Sequence, residues 1–281
     1  MLFERKCIFI KSKLTSLLHN IKAQWYLMLN KRGFWFSIFV IIFINVLSYI
    51  INVYNESGKD VFQMARPTDY FSLVYWSNSV DYVVILFPFL IVFPVAFHSF
   101  DEEIGKNSVF GIIRSSFNLY YYSKAIVAFV SGLVIICLPF ALNIFWNMLT
   151  FCDNMNGHEG MWNSQMYFEN TGYAFADLYS LHPFIYEIVF TILTGFFSGI
   201  CSLFAYSLSI YIKKYKIVCV IPVYLLFFVS RALDLKGIVL DSYISFPLNR
   251  SCVPLMFIVE GLMAVISVLM LKLYVSRKEY L

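Results

Sequence analysis

Long apolar runs, broken by short polar islands, organise this chain. The runs predict six membrane-spanning helices, at about 33–54, 81–100, 125–151, 183–212, 217–234 and 252–275. Each is near the roughly 20 residues that a helix needs to cross about 30 Å of hydrocarbon. The fifth run ends at Arg231 and Asp234, whose spacing would let them pair on one helix face. Pro88 and Pro94 in the second run and Pro222 in the fifth mark expected bends. A missing backbone donor must be compensated in lipid, so these prolines are expected to face other helices. Pro88, Pro94 and Pro222 are read first as tolerated kinks.

A different pattern precedes the first run. Within residues 8–32, Leu14, Leu17, Leu18, Ile21, Trp25 and Leu29 recur at helical spacing, while Lys13, Ser16, Asn20, Gln24 and Lys31 fall elsewhere. This predicts an amphipathic helix lying in the membrane surface; a helix packed on a partner is the other reading. The expected organisation is therefore an interfacial N-terminal segment, 1–32, a transmembrane domain, 33–275, and a short tail, 276–281. The fold class is all-α.

The polar island from Asp101 to Lys124, DEEIGKNSVFGIIRSSFNLYYYSK, separates the second and third runs. Asp101, Glu102 and Glu103 are expected at a helix N-terminus, where the dipole favours acids. Val109, Phe110, Ile112, Ile113 and Phe117 predict a short apolar helix. Tyr120, Tyr121 and Tyr122 are expected at the membrane interface, a favoured place for amphipathic rings. A short apolar helix held outside the membrane suits docking into a partner's groove. An ordinary solvated loop fits equally well.

Composition agrees with a lipid setting: 60% of the residues are hydrophobic and 14% charged, against about 25% charged in soluble domains. The distribution of Lys and Arg then sets orientation. The leader holds Arg5, Lys6, Lys11, Lys13, Lys22, Lys31 and Arg32. The island adds Lys106, Arg114 and Lys124, the link after the fourth run adds Lys213, Lys214 and Lys216, and the C-terminal region adds Lys272, Arg277 and Lys278. Only Lys59, Arg66, Arg231, Lys236 and Arg250 fall on the other side. Both termini are therefore expected in the cytoplasm, and an even number of spans agrees with their lying on one side. The leader's basic residues would sit against anionic lipid. The loop 152–182 has no Lys or Arg but carries Asp153, Glu159, Glu169 and Asp177, so it should face outward.

Candidate chemistry is sparse. Glu260 is the one carboxylate well inside a run, and an intramembrane charge is a functional candidate by default; a helix-packing contact is the alternative. Glu187 is expected to snorkel to the outer interface, and His98 to make an interfacial contact. Gly195, Ser198, Gly199 and Ser202 give small residues four apart, which lets helices approach closely; packing within the subunit is preferred to a dimer seam. The six cysteines form no CxxC pair, and a disulfide between Cys152 and Cys252 near the outer face is open. There is no HExxH, no GxSxG and no Walker loop, since Gly58-Lys59 is followed by Asp60. No metal site and no nucleic-acid partner are expected.

Glu102-Glu103-x-Gly105-Lys106, then the short apolar helix, then Tyr121-x-x-Lys124, resembles the permease subunits of type-2 ABC exporters. The matching positions are Glu103, Gly105, Lys106, Arg114, Tyr121 and Lys124. TGFFSGICSLFAYSLSIYIKKYK resembles that family's small-residue fourth span, and the leader its elbow helix. The resemblance covers the whole layout through loose motifs. It departs in having Ser115 and Ser116 where a proline often stands. Its larger outer loop lies between spans three and four rather than after span five. The resemblance implies that the island includes a coupling helix contacting a separate ATPase, through Glu102, Glu103, Gly105, Lys106, Phe110, Ile113, Arg114, Tyr121 and Lys124. It also implies that ATP and Mg2+ bind that partner and not this chain. A second permease copy or a homologous permease would complete the path, with Glu260 beside it. Export of a peptide, drug or lipid across a bacterial plasma membrane follows as the expected function. Two alternatives stand beside it. One is a non-transporting immunity or sensor subunit that binds a ligand through 152–182. The other is an intramembrane enzyme using Glu260.

Overall fold

A computed structural model describes residues 2–60, 67–74, 77–105, 111–113, 115–151, 174–175, 177–178, 182–212, 215–233, 239–245, 250 and 252–279. Among the described residues the chain is helical, without strands. The long elements are α1 (Leu2–Leu29), α2 (Arg32–Glu56), α3 (Asn78–Ile104), α4 (Phe117–Thr150), α5 (Pro183–Ser209), α6 (Ile221–Leu233) and α7 (Cys252–Glu279). One-turn 3-10 segments occur at Pro67–Tyr70, Lys216–Cys219 and Leu240–Tyr243. Five helices, α2, α3, α4, α5 and α7, are long and apolar enough to cross a membrane. The protein is a multi-pass membrane protein.

The expected fifth span is the exception. Its helix, α6, has 13 residues, which rise about 20 Å against the roughly 30 Å of a bilayer core. Pro222 explains the late start. It sits at the second position of α6, where a missing N–H costs little, and it bars the helix from continuing through it. Pro222 therefore starts a helix instead of bending one, whereas Pro88 and Pro94 lie inside α3. At the other end Arg231 donates to Asp241 at 2.6 Å, and Ser230 Oγ accepts from the Leu240 N–H at 3.3 Å. The expected Arg231 partner, Asp234, is outside the described residues.

α4 and α5 form the spine. Ser198 Oγ donates to the Gly132 carbonyl at 2.7 Å and Ser202 Oγ to the Ala128 carbonyl at 2.8 Å. A Cβ on Gly132 would stand 2.7 Å from the Ser198 carbonyl oxygen, and one on Gly199 would stand 2.9 Å from the Phe129 carbonyl oxygen. Gly195 lies against Cys137. Small residues thus bring two backbones of the same chain together. α2 joins the spine through Asn45, whose Nδ2 donates to the Pro139 carbonyl at 3.1 Å.

α1 breaks from α2 at Lys31, which is extended, and Trp35 Nε1 donates to the Leu29 carbonyl at 2.7 Å across the break. The side of α1 packed on the bundle carries Ile21, Gln24, Trp25, Met28 and Leu29. Leu18 is 57% exposed and Gln24 is buried, so the inward face is rotated from the one that spacing predicts. Tertiary contact with α2, α3 and α4 sets the rotation. Leu14, Lys106, Phe110 and Arg114, the acids Asp153, Glu159 and Glu169, and the suggested Cys152–Cys252 pairing lie outside the residues whose side chains are described.

Candidate functional site

α3 carries three successive acids in its last turn, Asp101, Glu102 and Glu103. They sit at the C-terminal end of that helix and not at an N-terminus, so the dipole opposes them. Side chains from other elements offset this. Glu102, 9% exposed, accepts from Lys124 Nζ at 2.5 Å and from Tyr120 Oη at 2.9 Å through one oxygen. Its other oxygen lies 3.1 Å from His98 Nε2, one helical turn earlier and without hydrogen-bond alignment. Glu103 accepts from Tyr121 Oη at 2.6 Å. Asp101 accepts from Lys216 Nζ at 2.7 Å. Lys124, 5% exposed, also lies over the rings of Tyr120 and Tyr206, at 5.6 and 5.9 Å.

This ionic cluster belongs to the base of the polar island. Tyr120 and Tyr121 are buried within it, not spread along an interface; only Tyr122 is exposed. Their hydroxyls find the two carboxylates, so each tyrosine satisfies a buried acid while packing its ring. Tyr121 stacks edge-on against Tyr274 at 5.4 Å, and Tyr206 Oη donates to the Tyr121 carbonyl at 3.4 Å. α3, α4, α5 and α7 therefore meet here. Lys216 brings in the α5–α6 link and lies 5.0 Å from the Phe97 ring centre. Lys31, at the α1–α2 junction, is close enough for its charge to act on His98. Lys31, Lys124 and Lys216, from three of the basic segments, thus gather at one end of the bundle.

Beyond the base, the island is pinned at its return. Residues 111–113 are helical. A Cβ on Gly111 would stand 2.5 Å from the Tyr120 ring, so this turn rests directly on the cluster. Ser115 Oγ donates to the Gly111 carbonyl at 2.8 Å, and Ser116 Oγ accepts from the Leu119 N–H at 3.4 Å as the cap of α4. Ile112 packs on the core, while Ile113 is 75% exposed. Gly105 ends α3 in an ordinary right-handed conformation, exposed; nothing in its backbone demands glycine.

Of the sequence candidates, Glu102, Glu103, Tyr121 and Lys124 come together. Gly195, Ser198, Gly199 and Ser202 belong to the α4–α5 spine. Glu260, 5% exposed, lies apart on α7, close enough to Cys201 of α5 to act on it electrostatically, and one of its oxygens has no partner. Glu187 does not snorkel: it is 1% exposed. Sequence reasoning missed His98 and Tyr206 as members of the cluster. The His98–Glu102 spacing of four was a usable signal; the arrival of Tyr206 depends on helix packing.

Two other features bear on chemistry. A cleft of about 710 Å3 lies between α2 and α3 at the opposite end, lined by Phe43, Leu47, Asn52, Tyr82 and Leu86 among others. Cys219 is fully buried, where a thiol packs as a small apolar group. Among the described residues no three His, Cys, Asp or Glu side chains converge on a metal-sized site. Comparison with family models, with curated proteins and with solved structures finds no match.

Proposed function

We propose that this chain is the membrane permease of an ATP-driven exporter of the type-2 ABC class, with the 104–119 segment as the lever on which a separate ATPase pushes. The observation that carries this reading is the buried cluster of Glu102, Lys124, His98 and Tyr120 at the root of a short exposed turn. A buried ion pair contributes little net stability but is costly to break. Here it locks the ends of α3 and α4 and the Gly111 turn into one body. Force on Ile113 would be delivered to two membrane helices and, through Tyr206 and Tyr274, to α5 and α7.

The partner supplies ATP and Mg2+ chemistry, and differential contact with it in two nucleotide states would shift the permease between inward and outward forms. The proposed orientation puts both termini, the 104–119 segment and the α5–α6 link in the cytoplasm of a bacterial plasma membrane. That requires α6 to complete a sixth crossing. With its 3-10 lead-in from Lys216 it spans about 28 Å at the rises of the two helix types, close to enough. The outer faces of α2 and α7 would meet lipid or a second permease copy. The apolar cleft between α2 and α3 favours an amphipathic cargo.

The test is copurification from native membranes with a Walker-loop ATPase. Ile113→Asp changes an exposed side chain and leaves the cluster intact, so it should abolish copurification while the chain elutes as a single folded species. Deleting 106–113, or replacing Glu102 and Glu103 by Lys, should do the same with added loss of stability. An ATPase that stays bound to all three variants overturns the reading.

A further inference from the structure

α2 and α3 touch near the charged end of the bundle and part toward the other end. A Cβ on Gly33 would stand 3.0 Å from the Phe93 ring, and the Phe36 and Phe93 rings lie 5.8 Å apart. From Val40 onward the cleft of about 710 Å3 lies between the two helices, a volume usual for small-ligand sites. Val40, Ile44, Leu47, Ile51 and Asn55 line it at spacings of four, three, four and four, which is one stripe of an α-helix. That stripe rises about 22 Å. Phe43, Leu47, Ile51 and Tyr82 are exposed, so the cleft opens sideways, toward lipid.

Its polarity is graded along its length. The deeper half is apolar, with Val40, Phe43, Ile44 and Leu47 of α2 facing Leu86 of α3. The other half carries Asn52, Asn55, Asp69, Tyr70, Ser77 and Ser79. This polar end rests on residues 67–74, of which Phe71, Ser72, Leu73 and Val74 are completely buried. Two amides of α4 hold that segment. Asn143 Oδ1 accepts from the Ser72 N–H at 3.1 Å, and Asn147 Nδ2 donates to the Tyr70 carbonyl at 3.1 Å. Ser79 Oγ donates to the Ser72 carbonyl at 2.8 Å, which ties the segment to the start of α3. Asp69 and Tyr70 are thereby set at the mouth of the cleft.

Charge then narrows the occupant. Among the described residues Asp69 is the one charged residue in the lining. Lys59, one turn beyond Asn55, is engaged by Glu56 at 2.7 Å. Over 56–81 the chain carries four acids, Glu56, Asp60, Asp69 and Asp81, against two bases, Lys59 and Arg66. The 152–182 stretch, which follows the end of α4 on this side, adds acids and no base. The field at the mouth is negative, the reverse of the end that holds Lys31, Lys124 and Lys216. It draws a cationic head in and opposes a phosphate or carboxylate one. The Tyr70 and Tyr82 rings in the lining suit an ammonium as well. Lipid tails are as apolar as the cleft wall, so a chain alone gains little by entering, and the head decides what stays.

We propose that the α2–α3 cleft is a lateral binding site for a long-chain amphiphile with a cationic head. The chain lies along Val40–Leu47 and Leu86, and the head sits between Asn52, Asn55, Asp69 and Tyr82. Calling this occupant the cargo rests on the exporter reading; its binding does not.

The experiment uses the full chain in phosphatidylcholine nanodiscs and measures binding alone. Three probes share one long saturated chain with a diazirine at its middle. They differ in the head, which is trimethylammonium, hydroxyl or sulfonate, so that no head changes charge near neutral pH. Photolysis and peptide mapping read the labelling of 40–51. The ammonium probe should label this stretch saturably, about fivefold better than the hydroxyl probe, and the sulfonate probe least. Asp69→Asn should shrink that preference. Asp69→Lys should reverse the order in favour of sulfonate, a gain that misfolding cannot produce. Leu47→Trp, which fills the cleft from an exposed position, should block all three probes while the chain stays monodisperse. Ile258→Trp, on the exposed face of α7, should change none of them. Equal labelling by the three heads assigns the cleft to bulk lipid and overturns the proposal. An order unchanged in Asp69→Lys overturns it too. Neither result touches the ATPase reading, and loss of an ATPase partner would leave the labelling order as it stands.

Discussion

Lys124 and Glu102 show how a charge survives in a greasy bundle. Each is nearly buried, and each is satisfied several times: Glu102 by an ammonium and a phenol, Lys124 by a carboxylate and two aromatic faces. Removing one partner leaves the other stranded. Lys124→Met should cost about 3–5 kcal/mol, the range for breaking a buried pair. The double change with Glu102→Gln should recover part of that loss, because it removes the orphaned charge. Melting midpoints of the two single variants and the double variant check the cycle; additive losses would show that the two groups act independently.

Glycine gives a second residue-scale contrast. A methyl on Gly132 meets the Ser198 carbonyl and Ser202 Cβ of the neighbouring helix, whereas one on Gly261 meets nothing within 4 Å. Gly132→Ala should destabilise by about 1–3 kcal/mol. Gly261→Ala should raise the midpoint, through a helix-propensity gain of up to about 1 kcal/mol. At this scale the sequence singled out Glu102, Glu103, Tyr121 and Lys124 as expected contacts for a partner, whereas the structure joins them to Tyr120 and to one another inside the bundle. It misjudged Glu187, whose nearness to the end of a run suggested solvent access. The buried segment 67–74 covers that end instead, and no local pattern announces such a cover.

At the scale of elements, apolar run length located α2, α3, α4, α5 and α7 well, since each needs only to be long and greasy. The ends were harder. α3 continues past the apolar run through Asp101–Ile104, so the acids that suggested a helix start stand at a helix end. The reason is tertiary: Lys124, Lys216 and the two tyrosines repay what the dipole opposes. α6 was read too long because its flanking residues are as apolar as its own, and only Pro222 marked the break. Its far end depends on Arg231 and Asp241, ten positions apart and beyond the reach of a helical spacing rule. Arg231 is more than half exposed, so Asp241→Asn should change global stability by less than about 1 kcal/mol. Amide exchange at 240–245 should nevertheless quicken. Unchanged exchange there would mean that the ion pair does not hold this turn.

Across the whole molecule, polarity is sorted toward the two ends of one apolar spine. One end collects Lys31, Lys124, Lys216 and Asp101, Glu102 and Glu103 of α3; the other collects Glu187, Asn143, Asn147 and the buried segment 67–74. Between them, α4 and α5 are joined by serine–carbonyl bonds and close backbone contact, an arrangement that can move as a unit. α7 is the least enclosed of the five apolar spanning helices, and it carries Phe257, Leu262, Val265, Leu269 and Leu273 outward. Five of the six expected spans were legible from hydropathy. The place of the buried segment 67–74 and the two-ended sorting were not, because they arise from contacts between residues more than 70 positions apart.

The proposed role rests on what touches the exposed turn at the charged end. A photo-crosslinking amino acid placed at position 113, in cells that make the chain at its native level, tests this directly. The expected result is a single major adduct with a cytoplasmic polypeptide bearing a Walker loop, stronger when ATP hydrolysis is blocked. Adducts only with lipid or with an extracellular protein, at full expression and with no ATPase captured, would contradict the proposal.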